Sequence, residues 1–217
     1  MRNRRGCFIT LEGLDGAGKS THVQWLVSQL RNKGLEVVST REPGGTDLGE
    51  RLRELLLSCD MNVKTEALLM FAARCEHVQS VILPALERGA WVVCDRFTDA
   101  SYAYQGGGRQ LGEQAVRTLE DWTLEGLEPD RSWLFDVPLA VARERLSAAR
   151  LPDRFEQEEA AFFERTRQAY HERASQQPER LHMIDSTLPI DTIRELLGAE
   201  IDSLVRSWKA ERQGSGL

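Results

Sequence analysis

The run Gly13-Leu14-Asp15-Gly16-Ala17-Gly18-Lys19-Ser20 fits the pattern G-x-x-x-x-G-K-[ST]. An apolar stretch, Cys7 to Leu11, precedes it. After it, Val23, Leu26, Val27 and Leu30 recur at helical spacing until Gly34. A strand, a glycine-rich loop and a helix in that order leave the backbone one use for the loop. Its N–H groups, from Gly13, Leu14, Asp15, Gly16, Ala17, Gly18, Lys19, Ser20 and Thr21, curl around one point. The helix N-terminus adds about half a positive charge there. The ligand implied is a polyphosphate, with the Lys19 ammonium on its β- and γ-phosphates and the Ser20 hydroxyl offered to Mg²⁺. A second apolar run, Trp91 to Cys94, ends in Asp95, an acid placed to hold the water shell of the same ion.

Five short apolar runs read as strands: Cys7 to Leu11, Leu35 to Ser39, Ala90 to Cys94, Ser132 to Val137 and Leu181 to Ile184. They are nearly continuous rather than alternating, as in a parallel sheet covered on both faces. Helical periodicity fills the gaps: Leu52 to Leu56, Ala67 to Phe71, Leu111 to Gly126, Leu139 to Ala149, Glu158 to Ala174 and Ile190 to Trp208. The alternation predicts a three-layer α/β fold with right-handed crossovers. We expect one domain over 1–210, with a frayed tail over 211–217 that includes Gly-Ser-Gly-Leu. Three loops break the pattern: Pro43-Gly44-Gly45, Gly106-Gly107-Gly108, and the charged stretch Arg150 to Glu159.

Composition narrows the partners. A chain of 217 residues with 41% hydrophobic residues can bury a core without staples. Its net charge of -6 argues against nonspecific nucleic-acid binding. No apolar run approaches the length of a membrane span, and no secretory leader is visible, so a cytoplasmic protein is expected. Cys7, Cys59, Cys75 and Cys94 form no CxxC pair and are read as buried free thiols. His22, His77, His171 and His182 lack metal-ligand spacing. Guanine-reading N-K-x-D is absent, which weakens a switch GTPase.

Five further segments carry a resemblance. Thr40-Arg41-Glu42-Pro43-Gly44-Gly45-Thr46, Phe71-Ala72-Ala73-Arg74, Asp95-Arg96-Phe97, Ala103-Tyr104-Gln105-Gly106-Gly107-Gly108-Arg109 and Asp153-Arg154-Phe155-Glu156 stand in the order seen in bacterial thymidylate kinases. The chain resembles that family from about Cys7 to Asp185. The resemblance implies a P-loop kinase fold with a five-stranded parallel sheet and a lid, here at about 143–157. It implies transfer of the γ-phosphoryl group of ATP to dTMP, a need for Mg²⁺, and a homodimer. Kinases of another nucleoside monophosphate or deoxynucleoside share the scaffold and form the alternative. A P-loop NTPase switch is a remote one.

The family's pocket carries over position by position. Arg96 and Arg53 match arginines at the acceptor phosphate, Arg74 the arginine that reads the thymine edge, and Asp15 an acid at the sugar 3′-hydroxyl. Glu42 matches an acid near the acceptor phosphate. Ser101, Tyr104 and Gln105 match the wall around thymine and sugar. Two departures stand out. The family often stacks thymine on a Phe at the position that here is Met70, with Phe71 one residue later. One residue turns a helical side chain by about 100°, so the two cannot face the pocket equally. The P-loop also lacks an arginine, and the lid reads Arg150-Leu151-Pro152 where Arg-Gly is usual. A cation on the migrating phosphoryl is then expected from Arg154 first and Arg150 second. No general base is needed, because the acceptor is already a phosphate dianion.

Overall fold

In the computed structural model, which describes residues 5–147, 154–155 and 158–214, the five apolar runs become strands. They are β1 (Phe8–Glu12), β2 (Val37–Arg41), β3 (Trp91–Asp95), β4 (Arg131–Asp136) and β5 (Leu181–Asp185). All pair in parallel, in the order β2-β3-β1-β4-β5. The helices are α1 (Lys19–Asn32), α2 (Asp47–Ser58), α3 (Val63–His77), α4 (Leu83–Glu87), α5 (Thr98–Ser101), α6 (Glu113–Leu124), α7 (Leu139–Ser147), α8 (Ala160–Gln176) and α9 (Ile190–Gly214). The three-layer α/β expectation holds. Because β1 is flanked by β3 and β4, chain direction across the sheet reverses at β1. Ligands of open α/β sheets bind at the carboxyl ends of strands beside such a reversal.

Both faces of the sheet are covered. On one, Leu26 and Leu30 of α1 and Leu197 and Ile201 of α9 pack on Ile9, Leu11, Val93 and Phe135, all nearly inaccessible. On the other, Val78, Ile82 and Leu86 pack on Phe8, Val92 and Cys94. A separate cluster joins Phe162, Phe163 and Tyr170 of α8 to Tyr104, Phe155 and Leu14. This last cluster lies beside the loops that follow β1 and β3. Among the described residues no helix is long and apolar enough to cross a membrane.

The structure corrects several expectations. The stretch after β3 is not an open polar loop: α5 continues as a π-helical segment over Tyr102–Gly108. Its glycines serve close approach to α8. A Cβ on Gly107 would stand 2.5 Å from Ala169 Cβ, and one on Gly108 would stand 2.4 Å from Thr166 Oγ1 and 2.6 Å from the Phe162 ring. Beyond α3 the chain stays helical through a π-turn, Val78–Ile82, into α4. Pro84 supplies no N–H and its ring crowds the preceding turn, and a widened turn accommodates both. Of the four free cysteines, Cys7 and Cys94 are buried, but Cys59 is exposed and Cys75 half-buried. Helix α9 continues to Gly214, past the expected boundary at 210, and 215–217 lie outside the described residues.

Gly108→Ala should force an overpacked contact against α8, which typically costs about 1–3 kcal/mol. We expect a lower urea midpoint at unchanged m-value. A midpoint equal to that of the native sequence would show that α8 yields freely.

Candidate active site

The glycine-rich loop between β1 and α1 takes conformations that demand glycine. Gly16 has φ +79°, and a Cβ there would lie 2.3 Å from the Ala142 carbonyl oxygen. Gly13, at φ +131°, sits as close to the Phe135 carbonyl. The loop is thus pressed onto β4 and α7, and the Ala17 N–H closes it by donating to the Leu14 carbonyl (3.2 Å). Lys19 is buried and folds back, donating to the carbonyls of Gly13 (3.0 Å) and Leu14 (3.1 Å). Burial and the nearby Arg96 lower its pKa, while Asp95, Asp15 and Glu12 pull the other way. The Leu14 and Ala17 side chains are buried, so only their backbone is offered. Ser20 and Thr21 are exposed on the first turn of α1.

Two cavities meet at this loop. One is lined by Gly16, Gly18, Lys19, Ser20 and Asp95. The other is lined by Met70, Arg74, Ser101, Tyr104, Gln105 and Phe155. Asp15, Glu42, Arg53 and Arg96 line both. Arg41, which the sequence reading passed over inside its own motif, lines the first.

Arg96 is the centre of the junction. It follows β3 with φ +71°, a left-handed conformation uncommon outside glycine and often found at functional sites. Its guanidinium donates to Asp15 Oδ1 (2.8 Å), the Gly13 carbonyl (2.8 Å) and the Tyr104 hydroxyl (3.1 Å). Burial tends to raise the Asp15 pKa, but Arg96 and Lys19 outweigh it and hold Asp15 at about 2. Asp15 in turn keeps Arg96 protonated far above any working pH. Arg53 donates to the Pro43 carbonyl at 2.8 Å.

Arg74, from α3, lies buried at the wall of the second cavity. Its three nitrogens donate to Glu42 Oε2 (2.6 Å), Ser101 Oγ (3.0 Å) and the Phe97 carbonyl (3.0 Å). Met70 and Phe71 separate as the 100° turn requires. Met70 faces the cavity. Phe71, the other candidate for the pocket, does not line the cavity and is fully buried with Tyr102 and Val116. Its ring instead backs Arg74, 4.7 Å from the guanidinium carbon. Gln105 donates to Glu66 Oε1 at 2.8 Å.

Arg154 is placed away from the P-loop. It donates to Glu66 Oε2 (2.7 Å) and the Leu56 carbonyl (3.0 Å), beside Phe155. Arg145, on α7, is exposed but reaches the P-loop side. It donates to the Ser186 carbonyl and lies 3.7 Å from the Cβ position of Gly18. Arg150 lies outside the described residues, as does most of 148–157.

Sequence reasoning also missed the buried acids beneath the site. Glu12, last in β1, accepts from the Phe97 N–H (2.8 Å) and the Tyr170 hydroxyl (3.2 Å). Glu66 gathers Gln105, Arg109 and Arg154. Both read as ordinary acids in one dimension. The clue for Glu12 was its place at the end of an otherwise apolar strand.

The site accommodates a hydrated cation. Asp95 Oδ1 is buried without a hydrogen-bond partner, and it shares the P-loop cavity with Ser20. Among the described residues no group of three or more His, Cys, Asp or Glu could hold a metal alone. An ion here would therefore also need oxygens from a phosphate ligand.

The chain is similar to known proteins over most of its length. The family model described as thymidylate kinase matches residues 11–197. A thymidylate kinase of Bordetella pertussis is 66% identical over 93% of this chain and 97% of its own. That of Methylobacillus flagellatus is 58% identical over 95% and 100%. The crystal structure of thymidylate kinase from Ehrlichia chaffeensis superposes with a TM-score of 0.76 at 30% identity, covering 91% of this chain and 99% of that one.

Burial, with Asp99 nearby, pushes the Glu12 carboxyl from 4.5 up to about 8, overriding Arg96 and Lys19. The folded state thus holds a proton that the unfolded chain releases near 4.5. Glu12 therefore favours the fold most below that pH, and its contribution is lost as pH rises toward 8. Glu12→Gln keeps an acceptor for Phe97 N–H and cannot titrate. We expect it to flatten the fall of the urea midpoint between pH 5 and pH 8. An unchanged slope would assign that proton to another group.

Proposed function

The chain belongs to the thymidylate kinase family, and from that premise we propose how its residues divide the reaction. The protein is an ATP-dependent kinase that passes the γ-phosphoryl group of ATP to dTMP, giving dTDP and ADP. The observation that carries the division of labour is the shared wall of Asp15, Glu42, Arg53 and Arg96 between the two cavities. A phosphoryl group crossing from one ligand to the other passes that wall.

ATP phosphates occupy the amide-lined loop from Gly13 to Thr21, with Lys19 released from the Gly13 and Leu14 carbonyls onto the β- and γ-phosphates. dTMP occupies the second cavity. Its base lies among Met70, Arg74, Ser101 and Gln105, its sugar near Asp15 and Tyr104, and its phosphate toward Arg53 and Arg96. Ser20 and Asp95 would hold Mg²⁺, which when bound neutralises charge on the transferring phosphates. The rest of catalysis is positioning and charge neutralisation by groups already fixed. Arg154 can meet the migrating phosphoryl only by exchanging Glu66 for it. Arg145, nearer Gly18, is the alternative cation.

Leu55, Leu68 and Trp122 are 47%, 54% and 77% exposed on the adjoining helices α2, α3 and α6. These apolar residues support a homodimer through those helices. Four free thiols fit a reducing cytoplasm.

A coupled ADP-release assay over the nucleoside monophosphates, with Lys19→Ala as blank, should show clear preference for dTMP. Preference for any other acceptor overturns the assignment of the second cavity. Arg96→Lys keeps the charge but loses the planar fork, and should lower kcat/KM by about 10² to 10³. Arg154→Ala should lower kcat strongly with ATP affinity within a few-fold. Unchanged turnover would leave Arg154 as a brace for Phe155.

A further inference from the structure

The segment Thr40-Arg41-Glu42-Pro43-Gly44-Gly45 wraps a side chain that no motif singled out. His77, on the last turn of α3, is fully buried. Its Nδ1 lies 2.9 Å from Glu42 Oε1, and its Nε2 lies 2.7 Å from Thr40 Oγ1. A Cβ on Gly45 would stand 2.5 Å from that same Nε2. Three positions of the segment thus converge on one imidazole. The remaining Glu42 oxygen, Oε2, accepts from Arg74 Nε. His77 and Arg74 stand three residues apart on one face of α3, so one helix grips both edges of the carboxylate.

The terminal torsion of a glutamate is soft, and one hydrogen bond at one oxygen does not fix it. Held at Oε1 by His77 and at Oε2 by Arg74, the Glu42 carboxylate cannot turn without breaking both. The polarity is consistent along the line. Glu42 accepts, so Nδ1 carries the hydrogen. In the neutral ring Nε2 then accepts from the Thr40 hydroxyl. Arg74 in turn has Nη1 and Nη2 committed to Ser101 and Phe97 at the cavity wall. Any rotation of Glu42 therefore reaches the guanidinium that faces the acceptor.

We propose that His77 is a positioning residue for acceptor binding: it locks the Glu42 carboxylate, and through it Arg74, in the orientation that receives the nucleobase. His77 does not itself line either cavity. The inference rests on the assignment of the second cavity to dTMP. A histidine that merely filled the core would, when lost, lower stability and depress every kinetic constant together. A positioning histidine acts on one substrate.

The test is a series read by KM for dTMP, KM for ATP, kcat and thermal midpoint. His77→Leu removes both bonds and should raise KM for dTMP at least tenfold, with kcat and KM for ATP within threefold. His77→Asn restores a donor near the Nδ1 position and should return KM for dTMP to within threefold of the native value. Thr40→Val leaves the ring and its packing in place and should raise KM for dTMP a few-fold. It replaces the leucine variant if that does not fold. A native KM for dTMP in His77→Leu, or in Thr40→Val where the leucine variant does not fold, overturns the proposal. So does a parallel loss of kcat and both affinities that His77→Asn fails to rescue. An unaltered chain that ignores dTMP would instead sink the assignment of the cavity, which separates the two failures.

Discussion

The ion pair between Asp15 and Arg96 joins two parts of the chain far apart in sequence. Asp15 belongs to the loop after β1, and Arg96 to the turn after β3. Arg96 reaches it because its own backbone is held left-handed, with its N–H bonded to the Leu11 carbonyl. The next residue, Phe97, gives its N–H to Glu12. The turn is therefore fastened to β1 by backbone and by side chain. The donor loop and the acceptor cavity then share a rigid corner, and distances across it are fixed before either nucleotide arrives.

That corner concentrates positive charge. Lys19, Arg41, Arg53 and Arg96 all line the P-loop cavity. Burial and mutual repulsion lower the pKa values of Lys19 and Arg53. Asp15, Glu42 and Asp95 offset part of this. Four basic side chains face three carboxylates there, and polyanionic substrates complete the balance. A dry site with fixed donors is worth more to a developing charge than the same groups in water.

The strands and the phosphate loop were legible in the sequence because their signals are local. A doubly covered strand must be apolar throughout, and only glycine tolerates the backbone at Gly16. The Met70–Phe71 ambiguity was also stated correctly by helical geometry, though only packing against Tyr102 and Val116 decides it. What stayed hidden depends on partners distant in the chain. The glycines at 106–108 read as a loop until α8 supplies a surface to approach. His77, Glu12 and Glu66 carry no pattern of their own. Each becomes significant through a residue 35 or more positions away, and one-dimensional spacing holds no trace of that. His77 did have one clue, its place three residues after Arg74 on the same helical face.

The sheet order has a consequence for how the molecule comes into being. The central strand pairs Ile9 with Val93 on one side and with Arg131 on the other. An emerging nascent chain therefore carries its most constrained loop first and must wait for β4 to wall it in. Gly13 rests on the carbonyl of Phe135, in β4 itself, and Gly16 on that of Ala142, in α7. Parallel pairing across such separations is entropically slow. The shape of the phosphate loop thus depends on residues that leave the ribosome more than a hundred positions after it.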